Sequence, residues 1–219
     1  MAPVLWGKKK KFDRNELIAA ADRARARGRT KKAIAGYRKV LEVAPGDATV
    51  HARLAPLLAR TGRKEEALAS FRIAAAAQIK AGFTDRGVSL LVQAVDAFPG
   101  EYALWDEITR LHLQRGRRAD ALAVLVGGGR RLLHARELAV GGRVLRRALE
   151  IEPWHPRATT LLARILARSG RKGEALDLLD GLDPRTRGAL RRRVRWLAFR
   201  ISLSPRRLWR ALRATLGGG

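Results

Sequence analysis

A repeat with a period of 54 residues constrains the fold of this chain more than any other feature of its sequence. Prolines recur at 45, 99 and 153, and the blocks 46–99, 100–153 and 154–207 align without a gap until the last block decays. Each block contains a Gly-Arg pair and, five residues after the glycine, an Ala-Leu pair. The glycines are Gly62, Gly116 and Gly170. A fixed period of this length is typical of proteins built from stacked units.

Within each block, apolar residues recur every three or four positions, which predicts helices with one buried face. Leu54, Leu57 and Leu58 illustrate the spacing in the first block. The recurring glycines fit the position just after a helix, where a left-handed backbone is needed. The prolines lack an amide hydrogen and therefore end a helix. These signals predict three helices in the first block, at roughly 48–60, 64–81 and 84–98.

Two segments, 33–45 and 141–153, resemble the second helix of the tetratricopeptide repeat. The matching residues are Ala33, Tyr37, Val40 and Pro45 in the first, and Leu145, Ala148, Leu149 and Pro153 in the second. The resemblance implies an all-α, tetratricopeptide-like α-solenoid of antiparallel helical hairpins, with about 11–12 helices in a right-handed superhelix. The family's usual repeat is about 34 residues. The longer period here predicts a three-helix unit, in which 64–81 serves two successive hairpins.

Later blocks depart from this pattern at two places. Gly127, Gly128 and Gly129 lie in the second merged helix, where each weakens the helix by about 1 kcal/mol relative to alanine, so a kink or break is expected. Pro184 is expected to shorten the corresponding helix of the third block. The repeat then decays into a basic segment.

The net charge of +26 is distributed unevenly along the chain. The sequence divides into a basic N-terminal tail (1–13), a repeat domain (14–184) and arginine-rich amphipathic C-terminal helices (185–219). The last segment contains eleven arginines and no acidic residue. Lys8 to Lys11 dominate the N-terminal tail, whereas acidic residues offset most of the charge of the repeats. The charge therefore identifies the two ends as candidate contact regions for anionic partners.

The family resemblance implies binding of a peptide or protein in a groove lined by the first helix of each hairpin. The residues at matching positions are Arg25, Arg60, Arg110, Gln114, Arg164 and Arg168. Guanidinium groups favour carboxylates or phosphates, so an acidic partner segment is predicted. The alternative interpretation is that these arginines belong to solvated helix surfaces.

Segment 187–203 carries two apolar stripes. The first would cap the end of the array and consists of Leu190, Val194, Leu197, Ala198 and Ile201. The second contains Trp196 and Phe199 and has no obvious partner. A short basic helix with Trp209 follows this segment. The candidate contact residues are Arg191, Arg192, Arg195, Trp196, Phe199, Arg200, Arg206, Arg207, Trp209, Arg210 and Arg213. Docking on protein, contact with an anionic membrane surface and binding of nucleic acid all remain open for this segment.

No catalytic constellation, metal site or cofactor is predicted. The four histidines lie in different units and are expected to be surface or groove-edge residues, and the chain has no cysteine. The N-terminal apolar stretch is too short for a secretory signal and no apolar run could span a membrane. The sequence thus predicts a cytoplasmic, non-enzymatic adaptor, with peripheral contact at the inner membrane surface and nucleic-acid binding as alternative roles for its basic ends.

Overall fold

A computed structural model describes residues 13–135 and 137–216, with side chains to residue 213. These residues form twelve α-helices and no strand. The chain divides into two compact units, Met1–Ala97 and Phe98–Gly219. The predicted N-terminal tail lies outside the described residues except for Asp13, whose carboxylate caps the first helix. In the part of the chain described, no helix is both long and apolar enough to cross a membrane.

The first unit contains five helices in which each packs against the next along the chain. They are α1 (Arg14–Ala26), α2 (Thr30–Val43), α3 (Ala48–Arg60), α4 (Lys64–Lys80) and α5 (Thr84–Ala97). The predicted three helices of the first block are therefore confirmed. Because α4 packs against both α3 and α5, it also performs the double role predicted for the merged helix.

Three helix ends use the recurring glycines in the predicted way. Gly62, Gly116 and Gly170 follow the C-caps of α3 and of two later helices, with φ values of +76°, +69° and +82°. A side chain there would meet no neighbouring atom within 4 Å, so the requirement for glycine comes from the backbone angle alone.

A hydrogen-bonded cluster around Asp22 joins the first three helices. Tyr37, fully buried on α2, donates its hydroxyl to Asp22 Oδ1 at 2.5 Å. Arg53 on α3 pairs with the other carboxylate oxygen, and Arg25 lies 3.5 Å from Oδ1. Burial, followed by the hydrogen bond and charge of Asp22, raises the pKa of Tyr37 to about 12.

Between pH 10 and about 12 we expect the wild-type protein to lose more stability than a Tyr37→Phe variant. An unfolded tyrosine ionises near pH 10, whereas Tyr37 stays neutral in the fold up to about 12. Raising the pH therefore favours the unfolded state, by about 1–2 kcal/mol for this residue. Denaturant unfolding of both proteins at about pH 9 and about pH 11.5 measures the difference, and parallel losses would contradict the assignment.

The second unit contains seven helices. They are α6 (Tyr102–Gln114), α7 (Arg118–His134), α8 (Leu138–Ile151), α9 (Pro156–Arg168), α10 (Lys172–Leu182), α11 (Gly188–Ser202) and α12 (Pro205–Leu216). Each packs against the next, and contacts also join α6 to α8, α7 to α9 and α9 to α11. The helices therefore alternate between two layers. We refer to α7, α9 and α11 as the odd layer and to α6, α8 and α10 as the even layer.

Helix α7 continues through the glycine run at 127–129. The prediction of a helix break there is therefore wrong. A Cβ atom on Gly128 would lie 2.5 Å from the ring of Trp105 on α6, and one on Gly129 would lie 2.4 Å from Leu145 on α8. Both glycines are buried, whereas Gly127 is exposed and meets nothing within 4 Å. Packing of neighbouring side chains against the bare backbone therefore offsets the low helix propensity of glycine.

The corresponding helix of the third block is shortened before Pro184, as predicted. Helix α10 stops at Leu182, and residues 183–185 form a 3-10 turn. Helix α11 then packs on α10 and α9 and buries Val194 and Ala198, two members of the predicted capping stripe. The C-terminal helices are thus part of the second unit.

Candidate partner-binding face

Charge in the second unit is segregated by layer. The even layer carries six carboxylates among its basic residues. They are Asp106, Glu107, Glu150, Glu174, Asp177 and Asp180. The odd layer carries a single carboxylate, that of Asp120 on α7. Its arginines are Arg118, Arg130, Arg131, Arg157, Arg164, Arg168, Arg191, Arg192, Arg193, Arg195 and Arg200.

Eight of these arginines are exposed. We call six of them the basic face, and leave out Arg118, which donates to the carbonyl oxygen of Ile151 on α8, and Arg131. The six are Arg130 on α7, Arg157, Arg164 and Arg168 on α9, and Arg193 and Arg200 on α11. On α9, they lie opposite the buried stripe that contains Leu162 and Ile165, because residues three and four apart share one side of a helix. The central helix α9 has no acidic residue, so no carboxylate of that helix pairs with the basic face.

Arg168 also fixes the position of α9 against α7. Its Nη1 donates to the carbonyl oxygen of Leu133 at 2.8 Å. Arg157 and Arg164 have exposed side chains on the same helix. The three arginines of α9 therefore lie in the middle of the basic face. The guanidinium groups of Arg157 and Arg164 face solvent, whereas that of Arg168 is hydrogen-bonded to α7.

The structure does not bring all six predicted groove residues together. Arg164 and Arg168 lie on α9 in the odd layer, whereas Arg110 and Gln114 lie on α6 in the even layer. There Arg110 pairs with Asp106 at 3.1 Å, and Asp106 also pairs with Arg147 of α8. The physical reason is the odd number of helices in each block. Helices that are equivalent in sequence, such as α6 and α9, fall in opposite layers.

Arg25 and Arg60 lie in the first unit, on α1 and α3. Both are exposed, and Arg25 is near Asp22, as described above. Ion pairs from α1 to α3 place these two helices side by side; one joins Arg14 to Asp47 at 2.5 Å. The role of both arginines in binding stays a prediction.

Three of the predicted tail residues are engaged within the chain. Arg195 makes a bidentate pair with Asp183, at 2.9 and 3.0 Å, and Arg191 lies 3.3 Å from the same carboxylate. Arg207 of α12 makes a second bidentate pair with Asp180 of α10, at 2.7 and 2.6 Å. Burial would raise the pKa of Asp183, but hydrogen bonds from the two arginines outweigh it and lower that pKa. These arginines attach α11 and α12 to α10.

The remaining tail residues lie on exposed or half-buried surfaces. Trp196 and Phe199 are half-buried and make an edge-to-face contact, with ring centroids 5.7 Å apart. Arg213 lies over the ring of Trp209, 5.5 Å from its centroid. The half-buried or exposed arginines are Arg192, Arg200, Arg206 and Arg210.

The expected surface position of the histidines is wrong for two of them. His51 is buried, with Nδ1 3.2 Å from Ser70 Oγ and Nε2 2.8 Å from the carbonyl of Pro45. His112 is also buried. His155 caps α9 by accepting from the amide of Ala158. Within the described residues, no group of histidine and acidic side chains is arranged to hold a metal ion.

Comparison with protein-family models identifies two matches, both described as tetratricopeptide repeat. They cover residues 18–81 and 132–194, together more than half of the chain. None of the curated proteins matches the chain significantly.

Solved structures with similarity to the chain include MamA and two proteins that are described as tetratricopeptide or TPR repeat proteins. MamA is 14% identical, over 77% of this chain and 89% of its own, with a TM-score of 0.34. A tetratricopeptide repeat protein from Parabacteroides merdae is 14% identical over 94% and 93%, with a TM-score of 0.36. A TPR repeats protein from Bacteroides fragilis is 12% identical over 93% and 98%, with a TM-score of 0.37.

Proposed function

Because the chain belongs to the tetratricopeptide-repeat family, we propose that it is an adaptor that holds an acidic segment of a partner protein on the basic face. Members of this family generally bind proteins or peptides and serve as non-catalytic interaction modules. The observation that carries the proposal is the segregation of charge between the two layers of the second unit. An uncompensated row of guanidinium groups favours a ligand that supplies carboxylates.

The exposed residues of α9 suit an acidic peptide in their chemistry as well as in their charge. Arginine forms paired hydrogen bonds with a carboxylate, and its planar head loses little freedom when it does so. Arg157 and Arg164 are exposed and offer such contacts. Thr160 and Leu161 lie between them on the same side of the helix, and both are half-buried. The exposed guanidinium groups therefore remain accessible to an extended segment lying along the helix.

Reversing two of these charges is expected to weaken binding of a labelled peptide rich in glutamate and aspartate by at least about tenfold. The variant Arg157→Glu/Arg164→Glu removes two charge-assisted contacts and introduces repulsion. Lys31→Glu/Lys32→Glu is the matched control, because it makes the same charge change on exposed residues of α2 in the other unit. Fluorescence anisotropy with the full chain measures both. Equal weakening by the two variants would mean that only net charge matters, contrary to the proposal.

The alternative role, binding of nucleic acid, is distinguished by a second ligand in the same assay. A single-stranded oligonucleotide should lose affinity steeply with salt through counterion release. Tighter binding of the oligonucleotide than of the acidic peptide, abolished by the same Arg157→Glu/Arg164→Glu variant, would replace the adaptor proposal with nucleic-acid binding. Weaker binding of the oligonucleotide would support the adaptor proposal.

A further inference from the structure

The outer side of α12 combines exposed apolar side chains with exposed arginines. Trp209 is 66% exposed and Leu212 is 39% exposed; three residues apart, they share one side of the helix. Leu203, in the connection that enters α12, is 73% exposed. Two neighbouring apolar side chains exposed on one side of a helix form a patch, and an exposed apolar patch is a candidate contact site.

The orientation of α12 is fixed by contacts on the side of the helix that faces α10 and α11. Ala211 is fully buried and Leu208 is half-buried where α12 packs on α11. The bidentate pair between Arg207 and Asp180 holds the same side of the helix to α10. The apolar side chains at 209 and 212 are therefore directed away from the unit that carries them.

Arginines lie beside this apolar strip. Arg206, Arg210 and Arg213 are exposed. At 100° per residue they lie next to Trp209 on the helix surface, on the side away from Leu212. Neither α11 nor α12 contains an acidic residue. An amphipathic helix of this kind matches a lipid surface, where apolar groups enter the acyl boundary and the arginines meet anionic headgroups. Tryptophan is the aromatic residue most suited to that boundary.

We propose that α12 docks the protein on an anionic membrane surface, with Trp209 and Leu212 inserted and Arg206, Arg210 and Arg213 on the headgroups. This contact is separate from the basic face, which lies on the odd layer and has no exposed large apolar side chain on α9. The membrane contact therefore does not depend on the acidic partner. In this arrangement the surface of the second unit that carries α12 faces the lipid.

Flotation of the full chain with vesicles tests this proposal. We expect binding to phosphatidylcholine vesicles that contain phosphatidylglycerol, and little binding to phosphatidylcholine alone. Trp209→Ser should lower the partition coefficient about tenfold, because the largest inserted apolar group is lost. Arg206→Glu/Arg210→Glu should lower it at least as much.

Two matched controls separate this site from general surface properties. Phe83→Ala removes another exposed aromatic residue, 52% exposed in the first unit, and should leave flotation unchanged. Lys31→Glu/Lys32→Glu makes the same charge change as Arg206→Glu/Arg210→Glu and should have a much smaller effect. Equal losses within either pair, or no flotation of the wild-type chain, would overturn the proposal.

Insertion, as opposed to adsorption by charge alone, is measured by quenching with brominated lipids. The chain has five tryptophans, so the signal of Trp209 is the difference between the wild type and Trp209→Phe. A quenched difference signal is expected. If the protein still floats with the vesicles but the difference signal is not quenched, Trp209 is not inserted in the lipid. The protein would then be adsorbed by charge alone, or the surface would bind a protein, and the inserted arrangement would be overturned.

Discussion

Replacing Gly128 with alanine is expected to destabilise the protein by about 2–3 kcal/mol, although alanine is the better helix former. The added Cβ would lie 2.5 Å from one carbon of the Trp105 ring and 2.8 Å from two others. Trp105 is only 5% exposed, and its indole N–H donates to the carbonyl of Pro99 at 2.9 Å. The ring therefore cannot move aside without losing burial and that hydrogen bond.

Gly127 and Gly129 provide the comparison within the same helix. Gly127→Ala should stabilise the protein by up to about 1 kcal/mol, because the site is exposed and no atom lies within 4 Å. Gly129→Ala should destabilise it, since the added carbon would lie 2.4 Å from Leu145. Urea unfolding of the three variants measures these changes. Stabilisation by all three substitutions would show that helix propensity, not packing, controls this segment.

The double variant Asp180→Asn/Asp183→Asn is expected to loosen α11 and α12 by about 1–2 kcal/mol, while the rest of the second unit stays folded. Asparagine keeps the shape of aspartate but removes the charge that binds Arg195 and Arg207. The value is modest because all four side chains are partly exposed to solvent. Hydrogen exchange should rise in α11 and α12 and stay unchanged in α7 and α8.

An exposed pair in the same unit serves as the control. Glu174→Gln removes a close pair with Arg171, but both side chains are about half exposed, so little change is expected. Acid should reproduce the effect of the double variant. Because the pKa of Asp183 is lowered in the fold, its stabilising contribution is present above about pH 4 and is lost as the pH falls through the folded pKa. Unchanged exchange in α11 and α12 at low pH would contradict this role of Asp183.

The glycine run led to the wrong prediction of a helix break because the size of a residue on one helix is balanced by the size of the residue that faces it on the next. At the period of 54 residues, Trp105 corresponds to His51 and Gly128 to Ala74. The block with the larger tryptophan has the smaller residue on the facing helix. Composition alone presents Gly128 as a helix breaker; its partner becomes visible only when α6 and α7 are packed together.

The sequence by itself determined the helices of the first block and the helix ends at the recurring glycines and at Pro184, because periodic apolar residues, glycines after helices and prolines are local signals. Gly62 and Pro184 act as the pattern predicts, and α4 fulfils its predicted double role. The sequence also located the arginine-rich segment that forms α11 and α12. It could not show that Arg207 is engaged by a carboxylate on α10 and Arg195 by one in the turn that follows α10, since those contacts join different elements.

Only the tertiary structure decided which arginines share a surface. Sequence equivalence grouped Arg110 with Arg164, yet a block of three helices reverses the layer from one block to the next, so the two residues lie in opposite layers. The sequence does indicate three helices per block. The layer in which each helix lies, however, is known only once the contacts between helices are known. Side-chain periodicity is a property of one helix, whereas a binding surface is a property of the helices that pack beside it.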